Sequence, residues 1–520
     1  MKENKVKSFS RATKSKNGIV RMALVIFAFL VQTAFIVGLF TWFSGFSQWV
    51  SFAVEVIAVL TALVVYSSDR TSSIKAPWIV MMLILPVFGL ALYFVIGFDS
   101  TVRKMRKKYE EVDAKLLPML PDSSNLIEEI KVKNKAMGSI SRYIAQNSGY
   151  PVYNNCDVQY FDDASKGLEA QIAAISAAEK FIFLEYHAIE MAESWERIFA
   201  ALTERVKAGV EVRVLYDDMG SIGFVDQDFA LALEYEGIKC KIFNPFHLGR
   251  NIFLNNRDHR KITVIDGYIG FTGGYNIAEE YFNNTHPYGQ WKDSGVCIAG
   301  DAVKNLTAMF LEMWNAMDNN AEDFAGYLTA PAYSSFENAC VQPYGEIPTD
   351  GKHVGEDVYI SMLGLATNYC WFMTPYLIIT DEMIHAINLA ARRGVDVRII
   401  TPGIPDKKIV YQVTRSYYRS LMKNGVKIYE WTPGFCHAKM CITDDKMAVC
   451  GTINLDYRSL YHHFEDAALI SGSRAVFDIK ADFEKTFGES REVTEEFYKG
   501  TVNALKYLGQ LVLRLIAELL

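Results

Sequence analysis

The octet "HRKITVID" at 259–266 returns as "HAKMCITD" at 437–444, with histidine, lysine and aspartate at the same spacing. "KITVID" is rich in β-branched residues and ends at Asp266-Gly267, a turn signal, so the octet reads as a strand entering a turn. Side chains on a strand alternate faces, which puts His259 and Lys261 on one face about 7 Å apart, and His437 and Lys439 likewise. Asp266 and Asp444 complete the candidate catalytic set, but their opposite parity makes them structural anchors of the turn or a neighbouring strand.

Working outward, each octet closes a larger repeat. "FIFLEYHAI" at 181–189 reads as a buried strand, "WERIFAALTERVKAGV" at 195–210 as a helix and "EVRVLYDD" at 211–218 as the next strand. The order returns in "YCWFMTPYLII" at 369–379, "DEMIHAINLAARRGV" at 381–395 and "DVRIITPG" at 396–403, with Gly209 and Gly394 in matching places. A further glycine-marked turn precedes each octet, in "YEGIKCKIF" and "KNGVKIYEW". Strand and helix in alternation predict α/β domains with a parallel or mixed sheet. Two copies predict a tandem pair related by a pseudo-twofold, with the octets facing each other.

Two facing histidines suit phosphodiester exchange, in which one attacks phosphorus and the other protonates the leaving oxygen. The two lysines would neutralise the phosphoryl oxygens as charge builds. Ten residues past each aspartate stands an asparagine, Asn276 and Asn454, a donor for a phosphoryl oxygen. Thr452 occupies the place of Gly274, so a hydroxyl is available on one side only. Asp293 in "WKDSG" and Glu465 in "HHFED" are acids able to hold the far nitrogen of a histidine and fix its tautomer. Nothing here resembles a carboxylate-rich magnesium site, and a lysine beside each histidine disfavours a bound cation, so neither metal nor cofactor is expected. His187, His462 and His463 default to core or supporting positions.

At 520 residues the chain is long enough for more than one core. A net charge of -7 argues against a nucleic-acid binder. Eight cysteines stand singly, without CxxC or zinc spacing, and read as small buried hydrophobes. Half the residues are hydrophobic, which predicts a membrane part beside a globular one. Apolar runs at 22–43, 49–66 and 76–98 supply it, the last containing Pro86 and Gly89, so that it spans with a kink or re-enters. Basic residues between Lys2 and Arg21 favour a cytoplasmic amino terminus, yet a second basic cluster at 103–108 falls on the opposite face if all three runs cross. Two or three crossings therefore stay open, as does the side carrying the site. The expected divisions are a membrane region 1–100, a juxtamembrane linker with helices 101–150, α/β domains 151–340 and 341–490, and a carboxy-terminal amphipathic helix 491–520. That tail is expected to dock on the domain, while the apolar loop "FNPFHLGRNIFLNN" at 243–256 reads equally as packed or as dipping toward lipid.

The paired HxKxxxxD motifs, each followed by a glycine turn and asparagine, resemble the phospholipase D superfamily, and within it the bacterial cardiolipin synthases. "HRKITVIDGYIGFTGGYNIAEEY", "VQPYGEIPTD", "FMTPYLI", "GTINLDYRSL", "LRLIAELL" and "APWIVMMLILPVFGLALYFVIG" carry the likeness from about residue 49 to the end. The extra run at 22–43 departs from relatives with two amino-terminal runs. The resemblance implies a multi-pass protein of the cell membrane that works on phosphatidylglycerol and cardiolipin and on no nucleic acid. It implies a reversible ping-pong transfer through a phosphatidyl-histidine, with His259 as nucleophile and His437 as acid and base. Another phosphatidyltransferase or a phospholipase D hydrolase would use the same residues, and a non-catalytic membrane scaffold is the reading from a different class.

Overall fold

The computed structural model describes residues 27–42, 48–94, 102–245, 256–494 and 507–517, apart from single positions and short stretches within these spans. The basic residues between Lys2 and Arg21, and positions 246–255 of the apolar loop, lie outside the described residues.

Among the described residues one helix, Gln48–Ser67, is long and apolar enough to cross a membrane. Its 20 residues reach roughly 30 Å at 1.5 Å per residue. Val54, Ala58, Ala62 and Val65 form its buried stripe, while Trp49, Phe52, Leu63 and Val64 point outward. Of the run at 22–43, a ten-residue helix Thr33–Trp42 is described. The third run is broken, as its proline suggested. The helix Ser72–Ile84 stops at Leu85, Pro86 starts the helix Pro86–Leu92, and the second piece folds back on the first. A Cβ on Gly89 would lie 2.7 Å from the Met81 oxygen and Met82 Cα, so only glycine permits that approach.

The rest of the chain forms two α/β halves around two mixed sheets. From one edge the first runs Cys156–Phe161, Gly295–Gly300, Ile269–Gly273, Lys261–Ile265, Phe181–Tyr186, Glu211–Asp217 and Lys239–Phe243. The second repeats this order as Cys340–Glu346, His463–Ser471, Met447–Gly451, Met440–Thr443, Tyr369–Met373, Asp396–Pro402 and Lys427–Trp431, and adds Ser490–Glu492 at the far edge. Phe181–Tyr186 and Tyr369–Met373 are buried throughout, because each lies inside a sheet covered on both faces. The crossover helices are amphipathic for the same reason. Glu193–Lys207 buries Trp195, Ile198, Ala201 and Leu202, and Asp381–Arg392 buries Met383, Ile387 and Ala390. Each has acids in its first turn and bases in its last, and each is followed by a glycine at positive φ, Gly209 or Gly394.

The octets differ from the expected strand in one respect. The strands begin at Lys261 and Met440, and the histidines stand before them. There the backbone leaves its own half to pair with the other. Arg257–Asp258 runs parallel to His463–Phe464, and Gly434–Cys436 runs parallel to Gln290–Lys292. The described part of the tail lies on the helix Lys408–Met422, where Arg514 donates to Ser416 Oγ at 2.7 Å and Gln510 to Gln412 Oε1 at 2.8 Å.

Candidate active site

The two interdomain ribbons deliver the histidines. The His259 amide donates to the Phe464 carbonyl at 2.9 Å, and the His437 amide to the Lys292 carbonyl at 2.7 Å. Each acceptor is the residue immediately before an acid, so each histidine is fixed beside a carboxylate of the opposite half. His259 Nδ1 donates to Glu465 Oε2 at 2.8 Å, and His437 Nδ1 donates to Asp293 Oδ2 at 2.6 Å. With the proton on Nδ1, each ring carries its lone pair on Nε2, and that of His437 faces the Lys439 ammonium at 2.9 Å. Both rings line one cleft of about 200 Å³, together with Asn276, Tyr281, Trp291, Tyr376, Lys407, Phe435, Asn454, Arg458 and His463. That volume suits a polar headgroup, with the acyl chains left outside.

The two motif lysines lie buried beside the histidines of their own octets. Lys261 donates to the His259 carbonyl, and the Lys439 ammonium lies against the His437 ring, 2.7 Å from Nδ1 and 2.9 Å from Nε2. Burial lowers both ammonium groups, Lys261 to about 8 and Lys439 to about 7. Burial, reinforced by these lysines, also drops His437 to about 4 and holds His259 well below the usual imidazole range. Burial alone would raise the Asp293 carboxyl, but His437 and Lys439 outweigh it and keep it ionised. An arriving phosphodiester anion offsets the cations and restores proton affinity to the histidines.

The asparagines behave differently from each other. Asn276 is engaged, with Oδ1 accepting from the Ala188 amide at 3.2 Å and Nδ2 donating to Tyr281 OH at 2.8 Å. Asn454 Oδ1 is buried in the cleft wall without a hydrogen-bond partner. Thr452 is not on the cleft. Its hydroxyl bridges the Asp466 backbone, donating to the carbonyl at 3.0 Å and accepting from the amide at 2.9 Å, which corrects the expectation that it meets phosphate. The difference from Gly274 has a steric cause. A Cβ on Gly274 would lie 2.0 Å from Asp293 Oδ1, so the short acid needs glycine, whereas the longer Glu465 reaches its histidine past Thr452.

The two motif aspartates do not join the cleft. Each lies at the far end of its strand, roughly 20 Å along the chain from its histidine. Asp266 accepts from the amides of Glu179, Lys180 and Phe181 at 2.7–2.9 Å. Asp444 accepts from Thr367, Asn368 and Tyr369 amides at 2.7–2.9 Å and from the Thr367 hydroxyl. Both sit at positive φ, so they turn the hairpin and tie it to the start of the neighbouring central strand. Their inclusion in a catalytic set is thereby corrected to a scaffold role, in line with their parity.

Two histidines expected in core or supporting positions line the cleft itself. His187 and His463 flank His259, with ring centroids 5.0 and 5.5 Å from it. The adjacency of His463 to Glu465 was the only hint. Tyr281, Trp291 and Phe435 surround His437 instead, at 5.2–5.7 Å. Donor atoms of His259, His463 and Glu465 lie within 4.8 Å of one another, but a cation there would cost the bond between His259 and Glu465 and would face Lys261.

Two histidines, each bonded to an acid of the opposite half and each with a lysine of its own octet beside it, thus share one cleft of a duplicated α/β fold. The family model described as "Cardiolipin synthase, PLD-like domain" matches residues 171–314 and 359–487, and that described as "Phospholipase_D-nuclease N-terminal" matches 56–97. The chain belongs to the first of these families, the cardiolipin synthase group of the phospholipase D superfamily. It is 30% identical over 478 residues to cardiolipin synthase 1 of Staphylococcus aureus, covering 91% of this chain and 96% of that protein. It is 42% identical over 443 residues to an uncharacterized protein of Streptococcus mutans, covering 85% and 96%. Phosphatidylserine synthase of Haemophilus influenzae shares the fold, with a TM-score of 0.56 at 14% identity over 74% of this chain and all of that one.

Proposed function

We propose that the chain is a membrane-anchored phosphatidyltransferase that joins two phosphatidylglycerol molecules into cardiolipin and glycerol. His259 Nε2 attacks the phosphorus of the first lipid, and the ester bond to its glycerol breaks as His437 gives that oxygen a proton. The phosphatidyl group then rests on His259. His437 takes the proton from a hydroxyl of the second lipid, which attacks phosphorus and frees the histidine. Lys261, Lys439 and the Asn454 Nδ2 group stabilise the charge on the phosphoryl oxygens, while Glu465 and Asp293 hold the rings. No step uses a metal.

The observation that carries this reading is the reciprocal bond of each histidine to an acid of the other half, which aims two Nε2 atoms into one cleft. Family membership supports the lipid substrate. The apolar helix Gln48–Ser67 and the match at its carboxy-terminal side support anchoring in the cell membrane, with the runs at 22–43 and 76–98 as further membrane elements of a multi-pass region. We keep the divisions 1–100, 101–150, 151–340, 341–490 and 491–520 as the working domain map.

The test gives purified full-length protein only phosphatidylglycerol, with magnesium omitted and a chelator present. Equal amounts of cardiolipin and glycerol are expected, and His259→Asn and His437→Asn each abolish both products while remaining folded. Phosphatidic acid as the main product makes the enzyme a hydrolase, and full activity in both variants removes the site assignment.

A further inference from the structure

The transfer proposed above requires a lipid hydroxyl to reach the histidine pair ahead of water. Phosphatidylglycerol as acceptor differs from water and from glycerol in carrying a phosphodiester one glycerol length from its reacting hydroxyl. Lys261 and Lys439 are buried at the octets and are assigned above to the donor's phosphate. A separate cation, Lys407, lines the same cleft from its exposed mouth. Among the described residues no carboxylate lies within ion-pair distance of its ammonium. The adjoining Asp406 is occupied by Tyr376 OH at 2.6 Å and by the Lys407 amide at 2.6 Å.

Lys407 is linked to the chemistry by a wall of rings. Its ammonium is 5.5 Å from the Tyr376 centroid, Tyr376 is 6.3 Å from Phe435, and Phe435 is 5.7 Å from His437. Its rim is apolar. Ile404 and Ile409 on either side are 40% and 54% exposed, and Val512, on the tail segment whose Ala517 lines the cleft, is 60% exposed. A lysine between outward isoleucines suits a phospholipid interface, where the stem lies on apolar surface and the ammonium meets headgroup phosphate.

We propose that Lys407 binds the phosphate of the acceptor lipid at the cleft mouth, holding its free glycerol hydroxyl against the histidine that deprotonates it. The ligand chemistry is a glycerol phosphodiester, and this inference rests on the transferase reading.

The test supplies phosphatidylglycerol as donor to the full-length protein and compares three acceptors: radiolabelled glycerol, soluble glycerophosphoglycerol, and phosphatidylglycerol itself. In Lys407→Met the rates with both phosphate-bearing acceptors, each relative to glycerol exchange, are expected to fall roughly tenfold, as for loss of one charge-assisted contact. Lys407→Arg is expected to retain both ratios. Ratios within twofold of wild type overturn the proposal. So does a fall confined to the lipid acceptor, which assigns Lys407 to interface contact alone, and so does an equal loss with all three, which puts it on the donor. A wild-type protein that transfers to none of the acceptors refutes the transferase reading instead, so the two failures are distinct.

Discussion

Asp293→Asn isolates one half of the crossed arrangement. The carboxylate accepts the His437 Nδ1 proton at 2.6 Å, is fully buried, and through both its charge and its hydrogen bond raises the otherwise depressed proton affinity of that ring. Asparagine keeps the volume but loses the charge and can present an amide donor, which favours the wrong tautomer. A hydrogen bond to a charged group contributes about 1.5–3 kcal/mol, and this one must also support the imidazolium that forms when His437 takes a proton. About 3–4 kcal/mol of lost transition-state stabilisation corresponds to a roughly 100- to 1,000-fold fall in kcat. Without the aspartate the His437 pKa drops further below about 4, so the protonated acid becomes scarcer at every pH and the activity optimum moves to lower pH. Initial rates of phosphatidylglycerol consumption across pH 5–9, with kcat and KM separated, read both effects. A kcat within threefold of wild type at neutral pH, or an optimum displaced to higher pH, refutes the reasoning.

Gly274→Ala should resemble Asp293→Asn in kcat, because its Cβ would lie 2.0 Å from Asp293 Oδ1; an unimpaired variant shows that the acid has another way to reach His437. Asp444→Ala leaves three amides and the Thr367 hydroxyl without their acceptor and should cost about 2–3 kcal/mol of stability, read as a lowered thermal midpoint. Burial raises the Asp444 carboxyl but its hydrogen bonds outweigh that and hold it below the ordinary range. Its contribution is therefore present at neutral pH and lost as pH falls through the depressed folded value, so the difference between wild type and variant should shrink on acidification. In the free enzyme Lys439 and Lys261 lose their protons near 7 and 8, so kcat/KM for the anionic lipid should decline as pH rises through that interval. A flat kcat/KM from pH 6 to 9 counts against their charge assisting binding.

Much of this site is local pattern, which is why it is legible in the sequence. The histidines, lysines and asparagines sit at fixed offsets inside a repeat, and the parity of Asp266 and Asp444 already separates them from the reactive face. Asp293 and Glu465 are recognisable as acids that serve histidines, but their exchange between halves is not. It arises from two short ribbons, such as Gly434–Cys436 with Gln290–Lys292, whose partners are distant in sequence and carry no periodicity of their own. The same ribbons explain why the histidines precede their strands. Thr452 misled because offset alone cannot show that a hydroxyl is spent on its neighbour's backbone. His187 and His463 read only as core or supporting residues because neither belongs to the repeated octet, and their place beside His259 depends on the fold.

The crossing also governs when the enzyme becomes active during its own synthesis. His259 waits for Glu465, 206 residues later, and the acid that serves His437 is made 144 residues before it. A nascent chain with only its first half complete has one octet, no acid for it and no facing ring. Because domains fold as they emerge, the apolar helix Gln48–Ser67 is made long before the cleft is complete, and the proposed transfer could begin only once Glu465 has been made.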